Sequence, residues 1–326
     1  MELRERYEDD FALVRGVPGW TLLLAFLGAL AILPWRLPTY LIFTITQVAI
    51  ATTIAVGLNL LVGYTGQISL GHAGFVGIGA YAAGVLVVNV HLPWGLALLG
   101  AGMIAAAFGF LVGIPALRLT GPYLTIATLG FGIAITQVLT NWEGLTGGRS
   151  GLFLPKLTVG SRILGEVELY YLAVTVAVVL TWVAYNLVRS HVGRAFVAIR
   201  DSDIAAEVVG VNLTIYKTLA FGVSAFYAGV GGALGAYLFG SLEPQSFTVL
   251  ESVTYFSMIV IGGLGTIPGS IVGATLLTVL PQLLTGLKQW LIVGYGIAII
   301  VIMTAQPLGL YGWWIKTKQW FKTWPF

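Results

Sequence analysis

Apolar residues run along this chain in long blocks separated by short polar or proline-marked breaks, without the strict alternation of half-buried strands. The blocks predict about ten membrane spans: Gly19–Leu33, Tyr40–Val62, Ala73–Val90, Trp94–Leu117, Leu124–Thr140, Tyr170–Val188, Leu219–Phe239, Leu250–Ile261, Ile271–Leu287 and Leu291–Ala305. A helical span needs about 20 apolar residues, so the eighth is short. Pro38, Pro93, Pro122, Pro244, Pro268 and Pro307 fall at or near proposed ends, as helix-ending residues should. The expected fold is an all-α polytopic bundle: a cytoplasmic segment at 1–16, a membrane domain at 17–306 and an interfacial tail at 307–326. The unbroken runs exclude the short alternating strands of an outer-membrane barrel. The first run continues to Leu33 and meets Pro34, Trp35 and Arg36, which reads as a retained span and not as a cleaved leader.

One break differs from the rest. Between Gly63 and Gly74 the glycines Gly63, Gly66, Gly71 and Gly74 interleave with Gln67, Ser69 and His72 before the apolar pattern resumes. Irregular backbone at membrane depth survives only where protein covers it or where it lines a wet cavity. The stretch is either a helix interruption on a solute path or a tight polar turn followed by a glycine-packed helix. A fainter echo, Ile261–Ala274, stands in the second half, and paired glycine-interrupted stretches point to an internal repeat. Five spans per half would make the repeats inverted; chance similarity in a glycine-rich chain is the alternative.

Composition sharpens this picture. Of 326 residues 58% are hydrophobic and 9% charged, against about 25% charged in soluble domains. The 43 glycines suit close helix packing in lipid, where no hydrophobic effect drives helices together. Cysteine is absent, which removes disulfides, thiolate chemistry and Cys-based metal sites. The net charge of +3 reflects loop topology and not a nucleic-acid surface. With the N-terminus in the cytoplasm, eleven Lys and Arg fall inside and five outside, so both termini are expected there. The tail mixes Trp313, Trp314, Trp320 and Trp324 with Lys316, Lys318 and Lys322, a composition for the lipid headgroup layer.

Two connections exceed turns. The outer one, Asn141–Leu169, carries Thr146–Gly151 and the acids Glu143, Glu166 and Glu168. The inner one, Arg189–Tyr216, reads as a helix leaving the membrane, followed by a capping signal at Asp201–Asp203 and a short second helix that Gly210 and Asn212 stop. Flanked by Arg200, Asp201, Asp203 and Glu207, that short helix suits docking in the groove of a soluble partner; an ordinary solvated connector is the alternative.

The residues also resemble a known family. Asn59–Phe75, Gly121–Gly130, Thr140–Gly148, Val192–Ala195 with Ala198–Asp201, Ala205–Glu207 with Gly210, Ser246–Phe247, Leu250–Ser252 and Gly262–Gly265 occur in an order similar to permease subunits of branched-chain amino acid ABC importers, the LivM type. Arg149 and Ser270 depart from that pattern. The resemblance implies a permease of the bacterial cytoplasmic (inner) membrane working with a second, paralogous permease, two ABC ATPase subunits and an extracytoplasmic substrate-binding protein. ATP-Mg would sit on the ATPases; no Gly-x-x-x-x-Gly-Lys-Ser/Thr phosphate loop occurs in this chain, and no cofactor is expected in it. Ser202–Val209 would be the coupling helix, with Gly193 and Gly210 as hinge and stop. Gly193, Arg194, Arg200, Asp201, Ala205, Ala206, Glu207 and Gly210 would serve coupling.

A path for a zwitterion suits small residues and backbone dipoles better than fixed charges. The candidates are Asn59, Gln67, Ser69, His72, Thr125 and Thr128. Against this, Asn59 could bond a neighbouring helix, the threonines their own backbone, and His72 could be structural. Glu243 and Glu251 flank an outer turn and would meet the binding protein or water. The competing class is an ion-coupled secondary transporter or channel, but the expected spans, the short eighth one aside, hold no Asp, Glu, Lys or Arg in their interiors. A membrane-embedded enzyme lacks support: His72, His91 and His191 form no His-Glu-x-x-His motif, and Gly148–Gly151 lacks nucleophile-elbow spacing.

Overall fold

The computed structural model describes residues 28–119, 121–159, 162–283, 290–305 and 309–323, together with Thr21 and Ala25. The expected segment 1–16 and most of the first span lie outside the described residues. From a single 3-10 turn at Leu33–Trp35 the chain enters α1 (Thr39–Asn59), which widens into a π-helical turn at Leu60–Tyr64. Then follow α2 (His72–Val88), α3 (Trp94–Ala116), α4 (Pro122–Asn141), α5 (Glu166–Arg189), α6 (His191–Asp201), α7 (Asp203–Val208), α8 (Leu213–Phe239), α9 (Val249–Gly262), α10 (Ile267–Leu283), α11 (Leu291–Ala305) and α12 (Gly309–Thr323).

Among the described residues five helices are long and apolar enough to cross a membrane: Thr39–Tyr64, Trp94–Ala116, Pro122–Asn141, Glu166–Arg189 and Leu213–Phe239. His72–Val88 and Ile267–Leu283 are apolar but shorter. Two helices start earlier than hydropathy predicts. α8 begins at Leu213 because the Asn212 side chain accepts the Ile215 N–H at 3.2 Å, which brings Lys217 into its second turn. α10 begins at Ile267, with Pro268 in the first turn, where a missing N–H removes no helical bond. The tail, expected only to lie at an interface, is helical as α12.

α1 lies against α8, α5, α10 and α9, and α8 lies also against α3 and α2; α4 rests on α2 and α11 on α9. Small residues permit these crossings. A Cβ on Gly79 of α2 would overlap the Gly229 backbone of α8, and one on Gly232 would overlap the Val76 carbonyl. Such close approach replaces the hydrophobic drive that lipid removes. α1 and α8 are therefore largely buried, while α4 and α5 expose most of their length.

The outer connection is not purely irregular. β1 (Leu152–Phe153) pairs antiparallel with β4 (Ser241–Leu242), and β2 (Thr158–Val159) pairs with β3 (Arg162–Ile163). The first pairing ties the α4–α5 connection to the α8–α9 connection. Gly151, at φ 75°, sits so close to the Leu242 carbonyl that a side chain would overlap it.

Candidate translocation site

The glycine-rich break lies between α1 and α2, at the end of the bundle that carries α6 and α7. It is a turn at a helix junction, not an interruption halfway along a span. Thr65 Oγ1 donates to the Leu60 carbonyl at 2.9 Å and the Gln67 N–H to the Leu61 carbonyl at 3.1 Å, so local bonds satisfy the unwinding. Thr128 on α4 fastens the far side: its Oγ1 accepts the Leu70 N–H at 3.2 Å and donates to the Thr125 carbonyl at 3.0 Å. Thr125 Oγ1 reaches the Gly121 carbonyl at 3.4 Å and the Ile68 carbonyl at 3.5 Å. Ser252 of α9 accepts the Ala73 N–H at 2.9 Å and so supplies the N-terminal cap that Gly71 cannot.

The second glycine-rich stretch meets the first. Asn59, 1% exposed, donates to Ser270 Oγ at 2.7 Å, the Thr266 carbonyl at 2.9 Å and the Gly263 carbonyl at 3.3 Å. Its carbonyl oxygen accepts the Gly265 N–H at 2.9 Å. Gly63 packs so closely that a Cβ would overlap both Asn59 Oδ1 and Gly265 N. Arg200 of α6 then reaches across: its Nη1 donates to the Gly63 carbonyl at 3.2 Å, while Nε and Nη2 hold Asp201 Oδ1 at 3.2 and 3.1 Å. Its side chain lies over Gly66, which adopts φ 74°. This end is latched, by hydrogen bonds that mostly use backbone acceptors.

Gln67, Ser69 and His72 are not part of the latch. They are 5%, 0% and 0% exposed. The Gln67 amide, the Ser69 hydroxyl and both His72 ring nitrogens have no partner at hydrogen-bonding distance and angle among the described residues. Buried polar groups are nearly always bonded, so four such groups in one turn are costly in this state. His72 meets Phe75 and Tyr255 edge-on, with ring centroids 6.3 and 6.4 Å apart.

Tyr255 opens onto a cavity of about 810 Å³ in the half of the bundle away from α7. Its walls come from the middle of α1 (Gln47, Ile50, Ile54), the last turns of α8 and α10, and the first three turns of α9 (Glu251, Thr254, Tyr255, Met258). Glu243 and Ser246 stand at its rim. None of Asn59, Gln67, Ser69, His72, Thr125 or Thr128 lines it. Asn59, Thr125 and Thr128 are committed to the latch and the turn; of the others, His72 touches Tyr255 of the cavity wall, and Gln67 and Ser69 are buried in the turn. The cavity lining was missed in the sequence, although Glu251 and Tyr255, one helical turn apart on a single face, carried a signal for it. Lys217, expected in the inner connection, lies instead within α8, and Glu251 lies in the first turn of α9.

The inner connection folds as two capped helices. Ser190 Oγ accepts the Val192 N–H at 3.2 Å to start α6, and Ser202 Oγ accepts the Ala205 N–H at 3.2 Å to start α7. Gly210, at φ 88°, ends α7. Gly193 is not a free joint: it lies inside α6 against the Val188 carbonyl, where a Cβ would overlap. Arg194 donates to the Arg189 carbonyl at 3.3 Å. Of α7, Ala206 is buried and Asp203 pairs with Lys217 of α8 at 2.6 Å, while Ala205 and Glu207 face outward. Ile204, Val208 and Val209 are 79%, 82% and 75% exposed.

Comparison with known proteins gives a consistent result. Residues 40–305 match the model of the family described as branched-chain amino acid transport system / permease component. The chain is 35% identical to the high-affinity branched-chain amino acid transport system permease protein LivM of Escherichia coli, over 82% of this chain and 69% of that protein. It is 26% identical to LivH of Escherichia coli, over 79% and 90% respectively. The autoinducer 2 import system permease protein LsrC of an Enterobacter species is 29% identical, over 78% and 76%. No solved structure matches.

Proposed function

The chain belongs to the permease-component family of branched-chain amino acid transport systems, and from that premise we propose that it is one membrane-spanning subunit of an ATP-driven importer. Its cargo is a branched-chain or related amino acid. It works in the bacterial inner membrane with a paralogous permease, an external binding protein and two ATPases that carry ATP-Mg, its own α7 end facing the cytoplasm. Solute enters the far-end cavity and leaves past His72, Ser69 and Gln67 once the latch opens. The contacts of α1 with α9 and α10 and of α8 with α2 and α3 are consistent with inverted repeats.

One observation carries the coupling assignment. Ile204, Val208 and Val209 project from a short helix at the polar end, where water offers them nothing. That helix is braced against a span by Asp203 and Lys217. A charged hydrogen bond of this kind contributes roughly 1.5–3 kcal/mol, towards the lower figure because Asp203 is partly in water. A groove in an ATPase would cover the aliphatic face and push on α7, which passes the load to α8 through Lys217 and to the latch through Arg200.

Co-purification tests this. Ile204→Asp with Val208→Asp, or Glu207→Arg, should cut recovery of the ATPases at least tenfold while membrane insertion stays normal. Unchanged assembly and uptake would refute the assignment. The Glu251 carboxylate in the cavity gives an ion-coupled carrier one acid to use; uptake by this chain without any ATPase, driven by a proton gradient, would favour that alternative.

A further inference from the structure

We propose that the far-end cavity contains a subsite for the primary ammonium group of an aliphatic solute, with the Glu251 carboxylate as its counter-charge. This rests on the cavity being the solute entrance. Its volume, about 810 Å³, falls in the range of roughly 300–1,000 Å³ that holds small molecules. Two carboxylates, Glu243 at the rim and Glu251 within, belong to its lining, and among the described residues no Lys, Arg or His does. Among the described residues Glu251 makes no ion pair, although Ile50, Ile54, Met258 and Leu277 give its surroundings apolar walls. A carboxylate held there without a partner is costly, and an arriving ammonium offsets that cost.

The neighbouring polar groups are divided in use. Gln282 Nε2 donates to Gln47 Oε1 at 2.8 Å and Gln282 Oε1 accepts from Thr44 Oγ1, so the amides at the rim occupy one another. Tyr255 lies one turn below Glu251, within electrostatic reach, and its hydroxyl makes no hydrogen bond among the described residues. The Thr278 hydroxyl on α10, shut away from solvent, also lacks a partner. Glu251, Tyr255 and Thr278 thus leave one acid and two hydroxyls unengaged beside an apolar wall. That set fits an alkyl chain ending in an ammonium and discriminates against a neutral amide, which brings no charge to offset Glu251.

The absence of native cysteine makes the test direct. In the assembled complex, Thr254→Cys, on the cavity wall, is labelled with methanethiosulfonates bearing either a trimethylammonium or a sulfonate group. The cationic reagent should react at least tenfold faster relative to a free thiol, and Glu251→Gln should remove most of that preference. With Glu251 intact, leucine and isopentylamine should each slow labelling at least threefold, and 4-methylpentanoate and isovaleramide should not. A preference indifferent to Glu251→Gln, or protection by 4-methylpentanoate equal to that by isopentylamine, overturns the subsite while leaving permease function standing. Amine protection in a complex that shows no ATP-dependent uptake would instead contradict the importer and leave the subsite in place.

Discussion

The two ends of this bundle handle polar groups in opposite ways. At the α7 end, Asn59 engages Gly263, Gly265, Thr266 and Ser270, and Arg200 holds Gly63. At the far end, Glu251, Tyr255 and Thr278 face a cavity with their hydrogen-bonding capacity unspent. At the start of α2 and in the turn before it, Gln67, Ser69 and His72 are sealed from water yet without hydrogen-bond partners among the described residues. A rigid structural protein would have no reason to bury such groups without partners. A protein that alternates between two openings does, because groups idle in one state find water or solute in the other.

The largest effect should come from wedging the latch. Gly63→Leu would drive a side chain into Asn59 and the Gly265 backbone, and overpacking of this kind costs about 1–3 kcal/mol or more. Uptake should fall at least twentyfold, with a clearly lower melting temperature. Arg200→Ala leaves the packing intact but cuts the strap from α6 to the Gly63 carbonyl. We expect uptake to drop about tenfold while ATP hydrolysis continues, and Arg200→Lys to restore part of it. If hydrolysis and uptake fall in the same proportion, Arg200 acts in assembly and not in the latch. The smallest effect belongs to Ser270→Ala, which removes one neutral hydrogen bond from Asn59, about 0.5–1.5 kcal/mol. A melting shift of a few degrees with near-normal uptake would place Ser270 as support, and no shift would remove it from the latch.

The sequence made the helices legible and their partners much less so. Hydropathy and proline placed α1 to α5 and α9 to within a few residues, because membrane spans obey a local rule of length and polarity. Ser202 could be seen as part of a cap because its bond is only three residues away. Asn212 was taken for a stop, whereas its side chain starts α8. Asn59 was harder. Its four partners lie about two hundred residues on, and nothing near it indicates whether its amide faces a path or a neighbouring turn. Arg200 could be placed on the connection between α5 and α8, but its grip on Gly63 depends on how α6 folds back across the bundle. The cavity was least visible, since it belongs to no segment and forms only between the ends of α8 and α10, the middle of α1 and the start of α9.

Thiol accessibility at the two ends tests the central claim most directly. In the complete transporter in vesicles, Ser246→Cys at the cavity rim and Ser69→Cys in the buried turn would each be labelled through the nucleotide cycle and read on this chain alone, which has no cysteine of its own. Alternating access predicts opposite changes: Ser69→Cys gains reactivity in the state where Ser246→Cys loses it. A Ser69→Cys that stays silent in every state, or two sites that open together, would contradict it.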